Sequence, residues 1–389
     1  VLALRLTRGA HPFVLCGRLL VAAASAGTGF LMLSALSHAL AHPGAGGALL
    51  RLAWCVVPLT ATVYFAVAMA RNDPATRPRE GLSSVGLGPA ALAGLAAAST
   101  ALSSLLGSVV ALLFFLHLRG DLTGLPFDGA AAGMLAADQP LPLAAVLTLL
   151  AIVPAVASLA TAVALRPRAG RPAPTAPQTE PPTPLPVPSG LPWGVALLAT
   201  GLAVESWAAG GTSRDGGVPL PGGVESGALG GVLGWLLTAL GLALAGPGLT
   251  HLCGRVLQSA KPGAVRLLAG RGLQEEATRI GRPVGVVCAV ASGALASATL
   301  YGAGTGTSPA GPLTALGGVL VAGCALATLL SAGVEARRSR ASANAALLRL
   351  GAPASALRNA AALRALTLIA VFVPLTWAVA TLAAAPLRG

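Results

Sequence analysis

The sequence predicts an all-α, polytopic membrane protein with about nine transmembrane helices in two related modules. Three observations lead there. Of the 389 residues, 55% are hydrophobic and only 10% are charged, against roughly 25% charged in a soluble domain. Apolar runs of the roughly 20 residues needed to cross a bilayer recur along the whole chain. The few charges gather between those runs. A mean hydropathy of +0.79 excludes a disordered chain, which needs low hydrophobicity and high charge.

Nine spans follow in order: 19–40, 52–70, 92–118, 141–165, 193–209, 228–249, 283–301, 312–334 and 365–387. Pro154 and Pro374 lie inside spans, where neighbouring helices can satisfy the carbonyls a proline frees. The first apolar run has full membrane length and no convincing small-residue cleavage site, so no cleavable leader is expected.

The chain carries 25 Lys+Arg against 12 Asp+Glu, a formal net charge of +13. Such a balance can mark nucleic-acid binding. Here Lys261 is the only lysine and the arginines sit in short loops, so no nucleic-acid partner is expected. The positive-inside rule gives those loops a meaning. With the N-terminus in the cytoplasm, 21 of the 25 basic residues fall inside, and Arg51, Arg119, Arg214 and Arg388 fall outside. A missed or extra span would scramble that alternation. The loops expected outside are short, and the longest has about 22 residues, so no large extracellular domain is expected.

One stretch breaks the apolar pattern. Residues 166–192 hold ten prolines and read as an extended, solvated cytoplasmic linker. The expected organisation is a first four-span module (1–165), the linker (166–192), two extra spans (193–253) and a second module of three spans (254–389). The halves share a pattern. Leu82, Gly86 and Leu92 match Leu347, Gly351 and Leu357 at one constant offset. Each stretch reads as a short amphipathic helix, a glycine turn and the start of the next helix, and glycine suits such a stop because positive φ strains it little. Before the seventh span, 260–279 places Arg266, Arg271 and Arg279 among leucines. That pattern suits one amphipathic helix on the inner leaflet. A shorter version, 2–8, precedes the first span.

The chemistry of an enzyme is missing. A phosphate-binding loop needs a lysine after its glycines, and Lys261 is followed by Pro262. The five cysteines are scattered without a C-x-x-C, all but Cys253 in or beside apolar runs, and the five histidines show no ligand spacing. No metal, cofactor or catalytic residue is expected on this chain. Glu205 is the one acid inside a span, about one turn from its outer end, and reads as interfacial. Spacings such as Gly227-x-x-x-Gly231 and Gly230-x-x-x-Gly234 permit close helix packing.

Leu347-Leu348-Arg349-Leu350-Gly351-Ala352, together with Arg266-Leu267-Leu268-Ala269-Gly270-Arg271 before a span, resembles the FtsX/MacB-like family of ABC transporter permeases. The span order is similar to the ten-span, bacitracin-export type. The resemblance implies that the loop holding Arg349, Gly351 and Arg358 couples to a separate ATPase. It implies a weaker copy of that coupling loop at Glu80 and Gly86. ATP and magnesium would reside on a dimeric ATPase partner, in a bacterial cell membrane. Export of an amphiphilic or peptide-like compound, or transmembrane signalling, would follow. The arrangement suits a homodimer or a monomer with two pseudo-equivalent halves. The family's last span is expected to be absent, which places the C-terminus outside. Three alternatives stand beside this reading: a non-transporting scaffold, a force-transmitting regulator and a secondary transporter, the last disfavoured by the near absence of charge in mid-span.

Overall fold

A computed structural model describes residues 12–42, 47–73, 88–122, 126, 128–166, 188–212, 219–220, 224–259, 263–301 and 311–385. Ten helices occur among them: α1 (Pro12–Ala41), α2 (Gly47–Asn72), α3 (Pro89–Arg119), α4 (Leu143–Leu165), α5 (Gly190–Thr212), α6 (Ser226–Gln258), α7 (Ala264–Glu275), α8 (Ala277–Tyr301), α9 (Pro312–Arg349) and α10 (Ala354–Ala384). All but α7 are long and apolar enough to cross a membrane. The protein is an all-α, multi-pass membrane protein. Between α5 and α6, two-residue strands β1 (Pro219–Leu220) and β2 (Val224–Glu225) pair antiparallel, which leaves the class unchanged.

The chain forms two compact units, and their division falls inside α9 between Cys324 and Ala325. In the first unit, α1 to α4 pack together with the start of α9. Apolar helices in lipid gain little from further burial, so close packing and hydrogen bonds must hold them. Both are present. The Thr28 and Thr62 hydroxyls lie 2.9 Å apart, linking α1 to α2. The Ser25 hydroxyl donates to the Ser104 carbonyl at 2.8 Å, and Ser108 donates to the Leu150 carbonyl at 2.9 Å. Gly107 lies so close to Ala22 and Ser25 that a Cβ there would clash with backbone. Leu33, Ala111, Phe115, Leu135, Val146 and Leu150 form one buried cluster. Leu31, Met32, Cys55 and Val153 form another, joined by Leu313 and Leu320 of α9.

The second unit is built around α6. One face of α6 meets α5 through glycines. A Cβ on Gly201 would strike Thr238, and one on Gly234 would strike Glu205. A second face meets α8 where Gly246 touches Gly281, and its last turns meet α7 where Gly254 touches Gly270. Leu242 of α6, Cys288 and Ala289 of α8, and Phe372 and Val379 of α10 close the core. Thus α5 and α6, set apart by sequence as two extra spans, pack with α7, α8 and α10. Cys253, which sequence leaves beyond the sixth span, is buried inside α6 because that helix runs on to Gln258.

Two further boundaries differ from expectation for readable reasons. The short amphipathic helix expected near 344 is the end of α9 itself. From 334 to 350 no glycine or proline interrupts a run rich in alanine, arginine and leucine, all strong helix formers. Helix α9 therefore has 38 residues and is about 57 Å long at about 1.5 Å per residue. The helix expected over 260–279 is two helices. Glu276, at φ −102° and ψ 5°, sits in the sparsely populated bridge region and ends α7. Arg279 consequently lies in the first turn of α8, not on the amphipathic helix.

Candidate functional site

The candidate site is the turn between α9 and α10 with the helices that brace it. Gly351 has φ +88°, a left-handed conformation that only glycine adopts without strain. Around it the Ala352 N–H donates to the Leu347 carbonyl at 3.0 Å, and the Gly351 N–H to the Leu348 carbonyl at 3.1 Å. These two bonds make a Schellman stop, satisfying carbonyls the helix end would otherwise orphan. Pro353 then caps α10 in an extended conformation, at φ −68° and ψ 134°. With no N–H to donate, and a ring that disfavours the helical region at Ala352, it prevents α9 from continuing.

The tip is thus a rigid turn between two helices. Arg349 and Arg358 are exposed on either side of it, and neither forms an ion pair among the described residues. Leu350 at the apex is 85% exposed and Leu348 is 47% exposed. Positions 337–349 of α9 stand largely open to their surroundings. The apolar stretch of α9 ends near Val334, so the tip lies about 22 Å further along the helix. Residues so arranged can dock on a partner.

A buried ion pair holds this element from behind. Glu276, at the α7–α8 junction, accepts from Arg340 of α9 through both of its carboxylate oxygens. The Glu276 side chain is 8% exposed and that of Arg340 is 24% exposed. A two-point arginine–carboxylate pair fixes orientation as well as distance. The second arm, α10, is held by a different device. The Arg364 guanidinium lies against Gly272 of α7, in space a Cβ would fill, and its Nε donates to the Ala360 carbonyl at 3.2 Å. Helix α7 therefore braces both arms of the turn.

The sequence-predicted residues divide as follows. Arg349, Gly351 and Arg358 come together at the tip. Arg266 and Arg271 are exposed on α7, while Arg279 is exposed at the start of α8. Glu80 and Gly86, the expected second coupling loop, lie outside the described residues, as do 2–8 and most of the proline-rich segment. Glu205 packs against Gly234 in the α5–α6 seam, 3.4 Å from the Thr238 hydroxyl. Sequence reasoning missed Glu276, Arg340, Gly272 and Arg364. The available signal was an acid stranded among arginine-rich helix ends. Asp73 in the first unit follows the same rule, meeting Arg18 at 3.1 Å.

No family model matches this chain. Neither a curated protein nor a solved structure matches it either.

Proposed function

We propose that this chain is the membrane-spanning permease subunit of an ABC transporter. In this reading a separate dimeric ATPase binds ATP and magnesium, and the α9–α10 tip docks on it from the cytoplasm. The arginine-rich ends of the helices then face the cytoplasm, as the positive-inside rule requires. Closure of the ATPase dimer pushes on the tip, and the spans pass that movement to the far side of the membrane. The output is export of an amphiphilic or peptide-like compound, or a signal across the bilayer.

The observation that carries the reading is the construction of the tip. An element that receives force must be rigid, reach past the headgroups and present a surface. The Schellman stop at Gly351 and the proline cap supply rigidity. The unbroken helix from 334 to 349 supplies reach. Exposed Leu348, Leu350, Arg349 and Arg358 supply a surface with an apolar centre and a cationic rim, the core-and-rim arrangement of a docking patch. A passive, solvated loop needs none of this.

Co-purification tests the proposal. The wild-type chain is expressed with a candidate P-loop ATPase and recovered through its own tag. The ATPase is expected in the eluate with the wild type and absent with Gly351→Arg, which strains the turn and adds bulk at the apex. Failure of any such ATPase to associate with the wild-type chain ends the permease reading.

A further inference from the structure

Helix α7 has a face that no described residue of its unit covers. Ala269, Gly270, Gly272 and Leu273 are buried against the protein. Leu267 and Leu268 on the other side are 44% and 40% exposed. Around that apolar strip stand five exposed arginines: Arg266 and Arg271 on α7, Arg255 in the last turn of α6, and Arg279 and Arg282 at the start of α8. None of the five forms an ion pair among the described residues. The packing gathers two of them. A Cβ built on Gly270 would lie 2.6 Å from the Gly254 carbonyl, so the α6 and α7 backbones touch there. The residues that follow these two glycines are Arg255 and Arg271. Glu275 is the one exposed acid on α7, and it lies beside Arg364, which offsets it.

We propose that this surface docks on anionic phospholipid headgroups of the bilayer in which the chain sits. The occupant follows from charge and position. The surface is strongly cationic, so its partner is anionic. It joins the end of one span to the start of the next, so it lies at headgroup level, where exposed leucines can enter the acyl boundary while arginines stay among phosphates. The glycine contact with α6 fixes α7 against its unit. Headgroup binding would thereby anchor the brace that holds Arg340 and Arg364. The proposal does not depend on the ATPase reading, because it concerns this chain and lipid alone.

The test uses the full chain in nanodiscs made of phosphatidylcholine with a minor share of phosphatidylglycerol. Spin-labelled lipids report which headgroup is held at the protein surface. The wild type is expected to hold the glycerol lipid in preference. The triple variant Arg266→Gln, Arg271→Gln, Arg279→Gln is expected to lose about fivefold or more of that preference, given the pull of each basic residue on an anionic surface. The matching triple lysine variant should keep it, since charge is retained. Arg349→Gln with Arg358→Gln should also keep it, because the tip stands beyond reach of the headgroups. Should the glutamine variant not fold, raising salt on the wild type provides the same reading, because screening weakens exposed charge contacts. Unchanged preference in the glutamine variant, or in the wild type at high salt, overturns the proposal. So does loss of a bound ATPase from that variant with lipid preference intact, which would assign the surface to a protein instead.

Discussion

Glu276 and Arg340 show how one pair of charges can position an element. Glu276 sits where α7 gives way to α8, and its carboxylate is removed from solvent. Taking away one partner leaves the other buried and unsatisfied, which costs several kcal/mol in a fully buried pair. Arg340 keeps 24% of its side chain exposed, so the effect here should be smaller. Arg340→Ala is expected to destabilise the chain by about 2 kcal/mol, read as a lower midpoint of thermal unfolding in detergent. Replacing both residues with apolar ones, Glu276→Leu and Arg340→Met, should recover most of that loss, because neither charge is then stranded. Arg119 illustrates the same chemistry on the minority side of the charge pattern. It is 4% exposed, donates to the carbonyls of Ala137 and Gln139, and meets Asp121 at 3.3 Å. An arginine that ties a loop to the end of α3 escapes the topological bias for a structural reason.

Helix packing depends on which glycines face a neighbour, and that is where spacing alone falls short. Gly230 and Gly234 face α5, whereas Gly231 opens onto empty space. Both overlapping G-x-x-x-G patterns look alike in sequence, and only the rotation of α6 separates them. Gly234→Leu should push α5 and α6 apart and lower stability by roughly 1–3 kcal/mol, the usual effect of overpacking. Gly231→Leu should leave the unfolding midpoint within error. A drop of equal size in both variants would show that the seam is elsewhere. The spans themselves were legible, because nothing in lipid competes with a helix for backbone hydrogen bonds. Helix ends were less so. Hydropathy stops reporting where a helix leaves the bilayer, which is why α9 runs past Val334 to Arg349 and α6 past Leu249 to Gln258. Gly351 as a helix stop was legible, since a lone glycine followed by a proline is a strong terminator. The split between α7 and α8 was not. It falls at Glu276, whose partner Arg340 lies 64 residues along the chain.

For the whole molecule, orientation is the premise from which the other functional readings follow. The proposed orientation, which rests on the charge sorting, has the α9 extension in the cytoplasm and the α3–α4 connection outside. Cysteine labelling checks both, in a chain with the exposed Cys16 replaced by serine; Cys55, Cys253, Cys288 and Cys324 are buried. Asp138→Cys should react with an impermeant maleimide in intact cells. Ser342→Cys should react only after permeabilisation. The reverse pattern would turn the tip away from any cytoplasmic ATPase. The all-α architecture was open to sequence, because it rests on composition and run length. The braced tip was only half open: Arg349, Gly351 and Arg358 share one short stretch, while their support comes from α7 and is a matter of tertiary contact.

In the proposed function the apex of the α9–α10 turn meets an ATPase. Crosslinking from the apex tests it most directly. A photoreactive amino acid is placed at Leu350, and for comparison at the exposed Leu267 of α7, in cells that also express a candidate P-loop ATPase. An adduct of chain plus ATPase is expected from position 350 and not from position 267. No adduct at 350, or equal adducts from both positions, would contradict the account.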